Sequence, residues 1–289
     1  MLKIIEKSKI WISISLIIVV IGLGFTFFKG LNFGIDFKGG TQVSIQLNDE
    51  ISKSDVDTIV KGYAADASTT ISNNNEYEIK STDLDSDKLS SIMKELKDKY
   101  SLEDTALLSQ EEIGASVGKE LTRNSLLALF AAGVVMLIYV AIRFEFTFGV
   151  AALVATLHDI LMTIGVYAIF GIPVNTPFIA AMLTIVGYSM NDTIVIFDRI
   201  RENTKKMRRA NTYEIADTSL TETLARSVYT SLSTLATIVA INILVPSVRE
   251  FTIPLIVGII CGAYSSIFIA SPVYVLLKEK TGKKKSKKA

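Results

Sequence analysis

The stretch VGYSMNDTIVIFDRIREN, Val186–Asn203, decides how this chain folds. The run before it, TPFIAAMLTI, is nearly all apolar, and TIVIF follows the Asn191–Asp192 pair. That is the pattern of a membrane helix with a carboxylate set inside it. An ionised carboxylate in hydrocarbon costs several kcal/mol or more. Asp192 must therefore be paired, hydrated or used.

Working outward, a membrane helix needs about 20 mostly apolar residues. Six stretches meet that length: Ile10–Phe28, Ser125–Ile142, Phe148–Ile172, Pro177–Phe197, Val228–Val245 and Phe251–Leu277. The chain is 289 residues long and 49% hydrophobic, yet 20% charged, so its charges are segregated from its apolar runs. The first apolar run follows a basic start, MLKIIEKSK, and ends in GFTFFKG without a small-x-small cleavage site, which reads as an uncleaved anchor. The single cysteine, Cys261, excludes an intrachain disulfide.

Lys and Arg collect on one side of this arrangement. They lie in the N-terminus, RFEF, the loop at 198–225 and the tail KEKTGKKKSKKA, whereas the loops GIPVN and PSVRE carry one Arg between them. By the positive-inside rule both termini are cytoplasmic. Basic residues beside apolar runs also favour a lipid bilayer over nucleic acid as their partner. In the 198–225 loop, NTYE reads as a capping box that starts a short helix, with Asn211 as N-cap.

Residues 29–123 form one polar outside piece. TQVSIQL (Thr41–Leu47) alternates as a half-buried strand does, Ser54–Tyr63 reads as a helix capped by Ser54, and EYEIK (Glu76–Lys80) as a second strand. Asp85–Tyr100 places Leu89, Ile92, Met93 and Leu96 on one helix face, and TALLSQ reads as a third strand. This order suggests a small ferredoxin-like α+β domain between the first two spans. The domains are then 1–28, the N-terminus and first span; 29–123, the outside domain; 124–277, five further spans; and 278–289, a basic cytoplasmic tail.

Three spans carry polar groups at lipid depth. Span three has His158 and Asp159, the latter sharing a face with Thr156 and Thr163. Span four has Asn191 and Asp192, with Tyr188 and Ser189 one turn back on the side of Asp192. Span five begins with Arg226, Thr230, Ser233, Thr234 and Thr237 as one polar stripe. Counted from the outside ends, Asp192 lies about 22 Å down and Arg226 about 30 Å down, so an Asp192–Arg226 pair is within reach. No nucleophile–base or metal-ligand spacing accompanies these groups, which argues against an enzyme.

FGIDFKGGT (Phe33–Thr41), just outside span one, resembles the signature of the SecD/SecF family, and the Val186–Asn203 run resembles that of its SecF branch. LHD in span three and TLARSVYTSLSTLAT in span five are similar to the same family. The resemblance implies a six-span half of an RND-like unit in the bacterial cytoplasmic membrane. It implies SecD as partner, joined to the SecYEG channel and often to YidC, and an unfolded polypeptide as the cargo. A proton or sodium gradient is implied as the energy source, with no other cofactor. By motif the ion-relay residues fall on Asp192 and Arg226, with Asn191, Asp159 and His158 beside them. Ser227 stands where many relatives have Thr, and keeps the hydroxyl. The motif's Gly34, Asp36, Gly39 and Gly40 read as a hinge below the outside domain. Two other readings share some of these features: an RND-like exporter of lipids or small molecules, and a purely structural subunit of a channel assembly.

Overall fold

A computed structural model describes residues 3–48, 51–72, 75–143 and 145–286. It contains six helices long and apolar enough to cross a membrane. The first is α1 (Ser8–Phe28). A short α2 (Ile35–Lys38) and a sheet unit follow. The remaining spans are α5 (Ala115–Arg143), α6 (Phe146–Phe170), α7 (Thr176–Lys206), α8 (Thr212–Leu244) and a sixth built from α9 (Arg249–Ser265), a π turn (Ser266–Ala270) and α10 (Ser271–Ser286).

The sheet unit runs β1 (Gly40–Gln46), α3 (Lys53–Tyr63), β2 (Ser68–Ile71), β3 (Glu76–Ser81), α4 (Ser86–Tyr100), β4 (Leu107–Ile113). Its four strands lie in the order β2-β3-β1-β4, all pairs antiparallel. Alternation puts Val43 and Ile45 of β1 and Tyr77 and Ile79 of β3 on one face, where they meet Val56 and Val60 of α3 and Ile92 and Leu96 of α4. Each of these eight side chains is fully buried, and each such burial is worth about 1.5–3 kcal/mol. Asp85 caps α4 by accepting from Lys88 N at 2.8 Å. The N-cap of α3 is Ser52, two residues before the Ser54 expected from the sequence, and its side chain makes no capping bond.

In the bundle, α6, α7 and α9 form the centre. Close crossings are made by small residues, as expected where apolar lipid gives no hydrophobic drive to helix association. A Cβ on Gly22 of α1 would lie 2.8 Å from Gly165 Cα of α6. A Cβ on Gly262 of α9 would lie 3.2 Å from Ser189 Cβ of α7. The apolar stretch of α5 stays almost entirely on the outside. The cap at Asn211 is present, with Glu214 N donating to its Oδ1 at 2.9 Å. The helix it starts is not short: α8 continues for 33 residues through the whole fifth span.

Two polar ties hold the sheet unit and the segment before it to the bundle. The chain before β1 runs parallel to the start of α7: Gly34 N donates to Val174 O at 2.9 Å, Val174 N to Asn32 O at 2.7 Å, and Thr176 N to the Asp36 carboxylate at 2.7 Å. Asp36 thus occupies the N-terminal turn of α7, where helix dipole and free N–H groups both favour an anion. The second tie is Lys80 of β3, whose ammonium lies 3.2 Å from Glu250 at the start of α9 and 3.7 Å from Glu78. Burial works against the Lys80 charge, but the two carboxylates outweigh it and raise its pKa.

Candidate functional site

A layer of polar side chains crosses the bundle at mid-span. Asp192 of α7 accepts two hydroxyl bonds. Ser227 Oγ of α8 donates to Oδ1 at 2.6 Å, and Ser266 Oγ, at the head of the π turn, donates to Oδ2 at 2.7 Å. Asp159 of α6 accepts two and faces an imidazole. Ser189 Oγ of α7 donates to Oδ2 at 2.6 Å, Ser265 Oγ of α9 donates to the same oxygen at 2.7 Å, and His158 Nδ1 lies 2.9 Å from Oδ1. Asp159 is 0% exposed and Asp192 half-buried.

The chain reaches this arrangement through helix geometry. Successive side chains on an α-helix diverge by about 100°, so Ser189 and Asp192, three apart, leave α7 on neighbouring but distinct faces. Ser189 turns to Asp159, contrary to the sequence reading that placed it with Asp192. In the sixth span the residues after Ser266 form a π turn, a feature common at functional sites. There Ser265 and Ser266, adjacent in sequence, donate to two different carboxylates.

Arg226 is not paired with Asp192. Helix α8 buries Thr223, Ser227 and Ser231, spaced by four, so Ser227 rather than Arg226 enters the bundle. Arg226, Thr230, Ser233 and Thr237 are exposed along a flank of α8, about 90° round from that face. Asn191 is exposed on α7. Tyr188 reaches Ser231, its hydroxyl 3.5 Å from Ser231 Oγ. Thr156 and Thr163 share the face of Asp159 but give their hydroxyls to carbonyls of their own helix, at Ala152 and Asp159. The structure therefore sets His158 against Asp159, gives each carboxylate its own two serine hydroxyls, and leaves Arg226 and Asn191 on the surface of this chain.

Sequence reasoning missed Ser265 and Ser266. The signal was present as YSS at 264–266, a polar break in the apolar run IVGIICGA…IFIASP, but hydroxyls in a membrane helix often bond back to their own backbone.

In the glycine motif, Gly39 and Gly40 have φ of 87° and 150°, conformations closed to most side chains. Gly34 is needed for another reason than the conformational freedom read from the sequence: its φ is an ordinary −76°, but a Cβ there would fall 1.5 Å from Asn175 Oδ1.

Residues 92–280 match the family model described as protein export membrane protein SecD/SecF, C-terminal, and residues 24–50 match that of the SecD/SecF GG motif. The chain is 40% identical to the protein translocase subunit SecF of Sebaldella termitidis, over 98% of this chain and 96% of that one. It is 36% identical to the protein translocase subunit SecDF of Thermus thermophilus, over 95% of this chain but 38% of that one. The crystal structure of SecDF from Thermus thermophilus, titled a translocon-associated membrane protein, superposes with a TM-score of 0.81 at 35% identity, covering 96% of this chain and 39% of that one. SecDF in a super-membrane-facing form gives 0.76 at 33% identity, over 100% and 40%.

Proposed function

Because the chain belongs to the SecD/SecF family of protein-export membrane proteins, we propose that it is the SecF half of an ion-driven export unit in which Asp192 carries the ion. The observation that carries this is the setting of Asp192. It is a half-buried carboxylate at mid-span, held by two neutral hydroxyls, with no Lys or Arg paired to it among the described residues. A carboxylate so placed has no cheap structural role. It is satisfied by hydroxyls whether ionised or protonated, since each oxygen retains acceptor capacity after protonation.

The exposed stripe of Arg226, Thr230, Ser233 and Thr237 lies beside this site. Polar groups at lipid depth require a protein partner or a water-filled cavity. We assign that cover to SecD, whose membrane half would complete the site from the other side and bring Arg226 within its field. SecYEG, and YidC where present, are the channel partners in this reading, and the unfolded polypeptide is the cargo. No covalent catalysis and no cofactor are assigned, the coupling ion being H⁺ or Na⁺.

We read residues 29–123 as an extracytoplasmic domain of ferredoxin-like plan, supported by its βαββαβ order and by the lysine and arginine bias that puts both termini in the cytoplasm. Protonation of Asp192 changes the charge between α7, α8 and the π turn, and shifts their packing. The domain follows through its two ties, at Asp36 and at Lys80–Glu250.

The test is export of a secreted reporter in cells carrying Asp192→Asn or Arg226→Ala, with membrane levels of the chain and its partner shown equal. One charge crossing 100 mV is worth about 2.3 kcal/mol, so loss of coupling should slow export about tenfold or more. Undiminished export in Asp192→Asn would make the chain a structural subunit of the channel assembly.

A further inference from the structure

The two carboxylates of the polar layer belong to one unit. We propose that His158 and Asp159 form a second proton-binding site in this chain, coupled to Asp192 through Ser265 and Ser266. The inference rests on the reading of the layer as an ion site and extends it to a site buried within this chain.

Asp159 is fully buried, and its partners are two serine hydroxyls and one imidazole. With His158 neutral and Asp159 ionised, the pair carries −1 at a position buried inside the bundle, which is costly. One added proton makes the pair neutral, whether it sits on the imidazole or on the carboxyl. Its place is available: His158 Nε2 is buried, with no hydrogen-bond partner among the described residues, while Nδ1 faces Asp159. The ring is 8% exposed and stacks on Tyr264, whose hydroxyl is committed to Trp11 O at 2.8 Å.

The coupling follows from the π turn. Ser265 and Ser266 are consecutive, and each donates to one carboxylate, so a movement of this turn reaches both bonds. Two carboxylates so linked, without an intervening cation, disfavour being ionised together. The titratable groups around His158 and Asp159 are Cys261 and Tyr264 of α9 and, beyond the serines, Asp192 of α7. The charged residues of α1, α5 and α10 stand near their ends. A proton taken up at Asp192 therefore lets the His158–Asp159 pair stay ionised more readily, and release at one site favours uptake at the other.

His158 is the chain's single histidine, so its signals need no assignment. The full chain is labelled with ¹⁵N-histidine, reconstituted in lipid, and followed by solid-state NMR across about pH 5 to 9, where imidazoles ordinarily titrate. The expected result has three parts. The neutral ring is the Nδ1–H tautomer. Its protonation midpoint moves by about one pH unit in Asp192→Asn. That displacement shrinks to a few tenths when Ser265→Ala and Ser266→Ala are added. A midpoint identical in wild type and Asp192→Asn overturns the coupling, and a ring that does not titrate overturns the site. Circular dichroism on each variant verifies the helical fold. Because the readout is a ring nitrogen and not export, the inference fails independently of the function proposed above.

Discussion

At the scale of single residues, the account turns on which side chain of each pair enters the bundle. Asp192 announces itself in the sequence because a carboxylate in an apolar run is expensive. Its neighbours do not, because choosing Ser227 over Arg226 depends on the rotation of α8 by one residue, and that is set by three-dimensional packing. The hydroxyl contacts make a graded prediction. Ser266→Ala removes one of the two bonds to Asp192 and should reduce export of a secreted reporter severalfold less than Asp192→Asn does. Equal loss in both would place the essential function on the serine. Gly34→Ala is a packing prediction. Its methyl overlaps Asn175, and overpacking of this kind costs about 1–3 kcal/mol, so the variant should show a lower unfolding midpoint in lipid by circular dichroism. An unchanged midpoint would mean that the contact of residues 32–36 with α7 yields easily.

At the scale of elements, the apolar runs made all six spans legible, and the i, i+3, i+4, i+7 pattern made α4 so. Strand β2 was not legible. Its sequence STTI is half-buried at every position and shows no alternation. The π turn was not legible either, since SIFIA has the composition of any membrane helix. Within the sheet unit, Asp57 ties α3 to the strands. Burial raises its pKa, but bonds from Lys53, Thr69 and Tyr77 outweigh burial and hold the carboxyl below its usual range. A group whose folded pKa is depressed stabilises above its unfolded value, near 3.9, and that stabilisation fades as pH falls through the folded value. The sheet unit should thus weaken below about pH 4. Asp57→Asn should lose about 1–2 kcal/mol at neutral pH and show a flatter acid dependence, read by near-ultraviolet circular dichroism of the full chain. A variant with the wild-type acid profile would exclude Asp57 as the source.

At the scale of the whole molecule, the sheet unit and the bundle are joined by Asp36 at the head of α7 and by Lys80 on Glu250. Neither tie follows from the sequence, because each brings together residues more than a hundred positions apart. If motion of the bundle reaches the outside domain through them, Lys80→Glu should lower export without lowering membrane abundance, and Lys80→Glu with Glu250→Lys should restore part of it. Failure of the charge swap to restore export would remove the pair from the coupling path. The central claim is that an ion gradient acts on export through Asp192. Its most direct measurement is the completion of translocation of a stalled secretory protein in membrane vesicles, with a proton or sodium gradient applied and then collapsed. The account predicts that the gradient accelerates completion in vesicles carrying the wild-type chain and has no effect in those carrying Asp192→Asn at equal abundance. Undiminished acceleration in Asp192→Asn would contradict it.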